Sequence, residues 1–366
     1  MKALILNSGL GHRMGVLTSE HPKCMTEISS TDTILSRQLK LIAAADITEV
    51  VMTTGYFDSV LVNYCKSLNL PLQYKFVKNP IYDQTNYIYS IYCAKELLED
   101  SDILLMHGDL VFENSVLEDM LAFKESCMKV SSTIELPAKD FKAVVHDGLV
   151  KKVGVEFFDD AMEAQALYKL NRKEWQIWLN RICEFCESDN RKCYAEVALN
   201  EITDECIIHA FDVKDRLCSE IDTPEDLAVV RSRLHEIQNR TVYMCFTADI
   251  LHEGHIKAIQ QAKKMGKLII GVLSDGAIGR TSPLMPQETR KLILENITGV
   301  HKVIIQKSAS YAEILRELRP AGLIHGNAWQ MIGNKSERDE VVSILAEYGG
   351  KLIEYASDKE SSCQQL

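Results

Sequence analysis

The chain has 366 residues, 46% of them hydrophobic, which is ample for packed cores and suggests two domains rather than one. Its formal net charge of -11 and pI near 5.5 argue against a broad nucleic-acid surface, which would leave a basic excess. They leave nucleotides open as ligands, because local Lys, Arg, backbone amides and a metal decide that binding. No apolar stretch approaches the ~20 residues of a membrane span, so no membrane insertion is expected. The N-terminal apolar run is too short for a signal peptide. Of the 11 cysteines, Cys183 and Cys186 form a CEFC run, with no second pair at zinc-finger spacing. They read as free thiols of a reducing, cytoplasmic compartment.

In chain order, KALILN reads as a buried strand entering a glycine-rich turn. Residues 32–46 predict a helix, ITEVVMTTG a strand, 57–69 a helix and PLQYKFVKNP a strand. NYIYSIYCAKELLED predicts another helix, and DILLMHGD a buried strand with a polar end. This alternation predicts a parallel three-layer α/β domain. Between 130 and 220, VSSTIEL, KAVVHDGLVKKVGVEFFD and CIIHAFDVKD predict strands of an antiparallel extension, and 172–188 an amphipathic helix. A helix over 224–238, with Thr223 before it and Pro224 at its start, closes the first domain, residues 1–238. From Arg240 a second alternation begins: TVYMCFT, HIKAIQQAKKMG, KLIIGVLSD, helix 286–298, HKVIIQ, helix 310–319, AGLIHG, helix 335–348 and KLIEYA. Residues 239–366 therefore predict a second, smaller doubly wound α/β domain.

Two segments carry chemistry. In LNSGLGHRMGVLTSEHPKCMTEI a strand ends at Asn7, and Ser8, Gly9 and Gly11 allow close backbone approach to phosphate oxygens. Arg13 and Lys23 add cations suited to a triphosphate. A plain glycine-rich turn with surface cations fits the same residues. The second segment, FTADILHEGHIKAIQQAKKMG, places His252 and His255 around Gly254 at a strand-to-helix junction, where the helix N-terminus favours an anion. Capping histidines, or two ligands of a zinc site lacking an evident third, also fit it.

The first segment resembles the sugar-nucleotidyltransferase signature of a glycine-rich loop with Arg followed by a Pro-Lys pair, here Pro22-Lys23. MHGDLVF and SEIDTPEDL resemble that family's metal-binding segments, which implies Asp109 and Asp222 as Mg²⁺ ligands. NPIYDQTNYIYSIYCA and YAEVALNEI resemble the phosphocholine cytidylyltransferase-like subgroup through Asn79, Asp83, Thr85, Asn86, Ser90 and Glu196. The resemblance implies that Asp83, Thr85, Asn86 and Glu196 bind substrate, with Asn7, Ser8, Gly9 and Gly11 on the nucleotide. Tyr194, Trp175 or Trp178 would join Glu196 around an amine or quaternary ammonium. Helix packing is the other reading of the two tryptophans, and a salt-bridged face that of Glu196.

Residues 240–366 resemble the H-x-G-H nucleotidyltransferase family, in particular the cytidylyltransferase-like domain attached to phosphoenolpyruvate mutases. That implies His252 and His255 as catalytic groups and Thr247, Asp249, Gly254 and Arg290 as nucleotide contacts. The chain departs from that family at Arg280, in His325-Gly326-Asn327-Ala328-Trp329 and at Glu360–Cys363.

The implied fold is α/β throughout, with two Rossmann-like three-layer domains. The first is a nucleotide-diphospho-sugar transferase (GT-A-like) fold with a small antiparallel extension. The implied reaction is Mg²⁺-dependent cytidylyl transfer from CTP to phosphocholine or a phosphonate such as 2-aminoethylphosphonate, releasing pyrophosphate. Its partners would be CTP, the small acceptor and, as in both families, a second copy in a homodimer. The alternatives are a sugar-1-phosphate nucleotidyltransferase and a C-terminal half that binds nucleotide without turnover.

Overall fold

The computed structural model describes residues 1–9, 11–279, 283–326 and 335–355. Its contacts divide the chain into two compact units, Met1–Arg233 and Leu234–Leu366. The expected departures at Arg280, Asn327–Trp329 and Glu360–Cys363 lie outside the described residues.

The first unit runs β1 (Lys2–Asn7), α1 (Ile34–Ala44), β2 (Glu49–Thr54), α2 (Asp58–Ser67), β3 (Gln73–Lys78), α3 (Tyr87–Cys93), α4 (Lys95–Leu98), β4 (Ile103–His107), β5 (Leu110–Phe112) and α5 (Asn114–Ala122). It continues with β6 (Cys127–Ser131), β7 (Lys142–His146), β8 (Leu149–Gly154), β9 (Ala161–Leu170), α6 (Arg172–Glu187), α7 (Ala195–Leu199), β10 (His209–Asp212) and β11 (Cys218–Glu220). Helix α8 (Pro224–Asn239) then runs across the division between the units. Nine strands form one sheet in the order β3-β2-β1-β4-β9-β6-β10-β8-β7. β1, β2, β3 and β4 are mutually parallel, and β9 is antiparallel to both β4 and β6. Strand order reverses at β1, and ligands of open α/β sheets collect at the carboxyl ends of strands beside such a point.

The continuous apolar run of β1 is explained by burial on both faces. Leu4 and Leu6 pack on one side with Ile88, Tyr168 and Trp178, and Ala3 and Ile5 on the other with Leu39 and Met52. Trp175 and Trp178 are fully buried, and their indole N–H groups donate to Leu98 O (2.9 Å) and Ala195 O (3.0 Å). Neither is free to receive an ammonium, so helix packing accounts for both.

Two expectations shift. The expected strand VSSTIEL lies earlier, at Cys127–Ser131, and β9 had no counterpart in the sequence reading although it sits mid-sheet. In β9, AMEAQALYKL mixes good helix formers with polar residues, so neither strand alternation nor β-propensity shows. Glu163, Gln165 and Lys169 are nonetheless buried there, because Glu163 pairs with Lys129 and Gln165, and Lys169 donates to the carbonyls of Phe123, Lys124 and Glu125.

The second unit contains β12 (Thr241–Phe246), α9 (Glu253–Ala262), β13 (Lys267–Leu273), α10 (Gln287–Glu295), β14 (Val300–Gln306), α11 (Ala312–Leu318), β15 (Gly322–Gly326), α12 (Lys335–Ala346) and β16 (Lys351–Tyr355). Its sheet is wholly parallel in the order β14-β13-β12-β15-β16, a doubly wound arrangement whose reversal falls at β12. No helix among the described residues is long and apolar enough to cross a membrane.

Candidate active site

The carboxyl ends of β1 and β4 bring two loops together. After Asn7 the chain turns through Gly11, whose φ is +66°. A Cβ at Gly11 would lie 2.9 Å from Lys23 Cβ, so glycine is required both for the turn and for the approach of Lys23. After β4, a Cβ at Gly108 would meet Asn7 Oδ1 at 1.6 Å, which lets the β4 loop close on the end of β1.

The short β5–β11 ladder completes the site. It pairs Leu110 with Glu220, and Ile221 N–H donates to Asp109 O (3.1 Å), which draws Asp222 beside Asp109. The Asp226 carboxylate accepts the N–H groups of Asp222 (3.0 Å) and Thr223 (2.8 Å), fixing that turn at the start of α8.

Between the two aspartates sits Lys23. Its ammonium donates to Asp109 Oδ2 (2.6 Å) and to Asp222 Oδ1, while Arg13 Nη2 lies 2.8 Å from Asp222 Oδ2. Burial pulls the Lys23 pKa down, but Asp109 and Asp222 outweigh it and hold the ammonium above its ordinary value. Burial opposes ionisation of Asp109, and Lys23 and His107 overcome it, leaving its pKa lowered. Beside this cluster His107 Nδ1 lies 2.8 Å from Glu220 Oε1. Burial alone would keep that imidazole neutral; Glu220, Asp109 and Glu196 raise its pKa to about 9. Burial and the nearby Asp109 raise Glu220.

The donor set suits a hard cation. Asp109 Oδ1 is buried with no partner among the described residues. Ligand atoms of His107, Asp109 and Glu220, and of Asp140, Glu220 and Asp222, lie within 4.8 Å of one another in each trio. Carboxylate oxygens predominate, as Mg²⁺ requires.

The cluster faces a cavity of about 470 Å³ that adjoins Gly9, Gly11, Asn86, Tyr87, Lys139, Asp140, Phe141, Val155 and Tyr194. A smaller cavity of about 190 Å³ shares Gly9, Asn86, Tyr87, His107 and Asp109 with it and adds Ser8, Tyr82 and Thr85. Asn79 shapes this second wall: its Nδ2 donates to Thr85 Oγ1 and Ser90 Oγ (3.0 Å each), and Ser90 Oγ is 2.7 Å from Ser8 Oγ. Asn86 caps α3 through Tyr87 N–H (2.8 Å).

Two expected substrate contacts lie elsewhere. Asp83 is exposed and lines neither cavity. Glu196 is 1% exposed, and its oxygens accept the hydroxyls of Tyr87 and of Tyr168 (2.9 Å for the latter). It stands behind Tyr87, the residue that meets the cavities, rather than on their walls. His107 and Glu220 were missed although both lie in quoted segments. Each is two residues before an expected metal ligand, a spacing that puts side chains on one face of an extended chain.

In the second unit, His252 caps α9: its Nδ1 accepts Gly254 N–H (3.1 Å), and His255 Nδ1 lies 3.4 Å from His252 N. Accepting at Nδ1 leaves each neutral ring its proton on Nε2. Burial and His252 lower the pKa of His255. Thr247 is exposed, Gly254 is half-buried, and Asp249 accepts the N–H groups of Leu284 (2.8 Å) and Met285 (2.9 Å). Arg290, an expected nucleotide contact, is fully buried and spent inside the protein. It donates to Met285 O (2.9 Å), Thr247 O (2.5 Å), Leu273 O (2.9 Å) and Asp275 Oδ1 (2.5 Å). It ties the loops after β12 and β13 to α10, with four of its five N–H donors engaged there and no exposed side-chain surface.

Comparison with known proteins follows the same division. Residues 3–131 match the MobA-like NTP transferase domain, and residues 243–348 the cytidylyltransferase-like family. A CTP:phosphoglutamine cytidylyltransferase of Campylobacter jejuni is 29% identical over 42% of this chain and 62% of its own length. A CMP-5'-(3-aminopropyl)phosphonate synthase of Streptomyces rubellomurinus is 30% identical over 45% of this chain and 26% of its own. The chain thus spans less than two thirds of either relative. The inositol-1-phosphate CTP transferase of T. maritima, 21% identical with a TM-score of 0.52 over 64% of this chain and 96% of its own, shares the fold. The chain therefore joins an N-terminal MobA-like NTP transferase domain to a C-terminal cytidylyltransferase-like domain.

Proposed function

We propose that this two-domain chain is a cytidylyltransferase whose first unit couples CMP from CTP to a small, amine-bearing phosphate or phosphonate and releases pyrophosphate. The observation that carries the reading is the Lys23–Asp109–Asp222–Arg13 cluster at the carboxyl ends of β1 and β4, facing a cavity large enough for two small ligands. The names of the two curated relatives favour CTP and an acceptor that bears both phosphorus and an amine.

A phosphate or phosphonate oxygen of the acceptor attacks the α-phosphorus of CTP as the bond to the pyrophosphate oxygen breaks. The attacking oxygen is already ionised at neutral pH, so no side chain has to remove a proton. Asp109 and Asp222, with Glu220 beside them, would hold Mg²⁺, which supplies charge neutralisation on the triphosphate. Lys23 then exchanges its carboxylate partners for phosphate oxygens, and the 63%-exposed Arg13 reaches the leaving pyrophosphate. Gly9 and Gly11 bring backbone N–H groups to the same phosphates. Tyr87, Phe141 and Tyr194 form an aromatic wall, with ring centroids 5.8 Å (Tyr87–Tyr194) and 5.1 Å (Phe141–Tyr194) apart, suited to the amine end of the acceptor. Glu196 serves by fixing the Tyr87 hydroxyl.

The test is pyrophosphate release with Mg²⁺, each of the four NTPs, and phosphocholine, 2-aminoethylphosphonate or a sugar 1-phosphate. Release with CTP and an amine-bearing acceptor is expected. Preference for UTP with a sugar phosphate overturns the reading.

A further inference from the structure

Lys142 is a buried cation that the transfer chemistry does not use. It opens β7 with no exposed surface, and no carboxylate pairs with it among the described residues. Its ammonium donates to two backbone carbonyls, Pro137 O (2.5 Å) and Asp140 O (3.1 Å), and lies 4.2 Å from the Phe158 ring centroid. Burial lowers its pKa. A buried charge is tolerated only where its surroundings compensate it, and here one chain segment accepts its hydrogen bonds while a second lays an aromatic face against it.

Those segments carry the outer wall of the larger cavity. Residues 132–141 have no strand or helix of their own, yet Lys139, Asp140 and Phe141 line the cavity. Val155 lines it from the turn after β8 that also carries Phe158. Lys142 faces Gly154 across the β7–β8 ladder, where a Cβ would meet Glu156 Oε2 at 2.5 Å and Phe157 Cε2 at 2.9 Å. The turn therefore folds back over the strand end, directly beside the ammonium. None of these wall residues lines the smaller cavity.

We propose that Lys142 is a positioning residue that fastens the 137–141 loop and the 155–158 turn into one wall, and so acts on affinity for the acceptor more than on affinity for the nucleotide, because of the residues grouped for a cation only Asp140 belongs to that wall. The assignment of that wall to the acceptor rests on the proposed function; the fastening itself does not.

The test compares the full-length protein with Lys142→Met, which keeps the stem and removes the donors. Amide exchange over 137–141 and 155–158 in the free protein is expected to quicken about tenfold, with residues 2–7 unchanged. In turnover with CTP, the acceptor KM is expected to rise about tenfold while the CTP KM stays within about twofold. Unchanged exchange, or equal rises in both KM values, overturns the proposal. If Lys142→Met does not fold, Phe158→Ala removes only the half-exposed ring and is expected to move the same KM by a smaller factor; no movement overturns the proposal. Absence of turnover in the wild type refutes the functional reading instead, and the exchange data still decide whether Lys142 fastens the wall.

Discussion

Each unit has a glycine-containing loop where the order of its parallel strands reverses, yet the two loops spend their charged groups differently. In the first, Lys23 and Arg13 are held by carboxylates at the edge of an open cavity, partners that a metal and a triphosphate can replace. In the second, the guanidinium of Arg290 is locked onto three carbonyls and Asp275, and the two histidines are occupied at Nδ1 by backbone N–H groups at the start of α9. A cation exchangeable at a cavity is equipment for phosphoryl chemistry, whereas a cation without exposed surface is equipment for holding loops. On that contrast, the proposed reaction is expected in the first unit.

The largest effect that sharpens it comes from Asp222→Ala, which strips a partner from both Lys23 and Arg13. Pyrophosphate release is expected to fall on the order of 10³-fold. Lys23→Met should cut turnover by about 10²-fold and at the same time tighten Mn²⁺ binding without nucleotide, because the metal no longer displaces an ammonium from Asp109 and Asp222. Titration calorimetry reads the second effect, and unchanged or weaker Mn²⁺ binding would break the picture of Lys23 as an exchangeable occupant.

Arg290→Met probes the other side. It leaves buried carbonyl groups without donors and is expected to cost roughly 3 kcal/mol of second-unit stability, read by denaturant unfolding followed through amide exchange of β12 and β13. A variant that folds with full stability but loses nucleotide affinity would return Arg290 to the binding site.

The smallest effect is in pH dependence, and its sign differs between the units. His107, raised to about 9, adds stability that is present below the ordinary imidazole value of ~6.5 and is lost as pH rises through about 9. His255 and His325, both lowered by burial, add stability that is present above that value and is lost as pH falls below it. Imidazole resonances in an NMR titration check both directions: His107 should remain charged at neutral pH while the other two are neutral.

Much of this was legible in the chain. Apolar runs marked β1, β4, β12 and β13, and glycine spacing marked the loop that Gly11 turns. What could not be read were groups whose role depends on a partner far away in sequence. β9 escaped because Glu163 and Lys169 look like surface residues until Lys129 and the carbonyls near residue 124 are brought to them. Glu196 read as a ligand for a cation because nothing local announces the hydroxyls of Tyr87 and Tyr168. Arg290 read, by resemblance, as a nucleotide contact, and nothing local announces its three carbonyl partners, which are scattered over some forty residues. His107 and Glu220, in contrast, were recoverable from the H-x-D and E-x-D spacings at two strand ends.

The most direct test measures CTP-dependent pyrophosphate release, with an amine-bearing phosphate or phosphonate as acceptor, in the wild type, Asp109→Ala and His255→Ala. Loss of release in Asp109→Ala with its retention in His255→Ala is the expected result. Retention in Asp109→Ala with loss in His255→Ala would contradict it and move the reaction to the second unit.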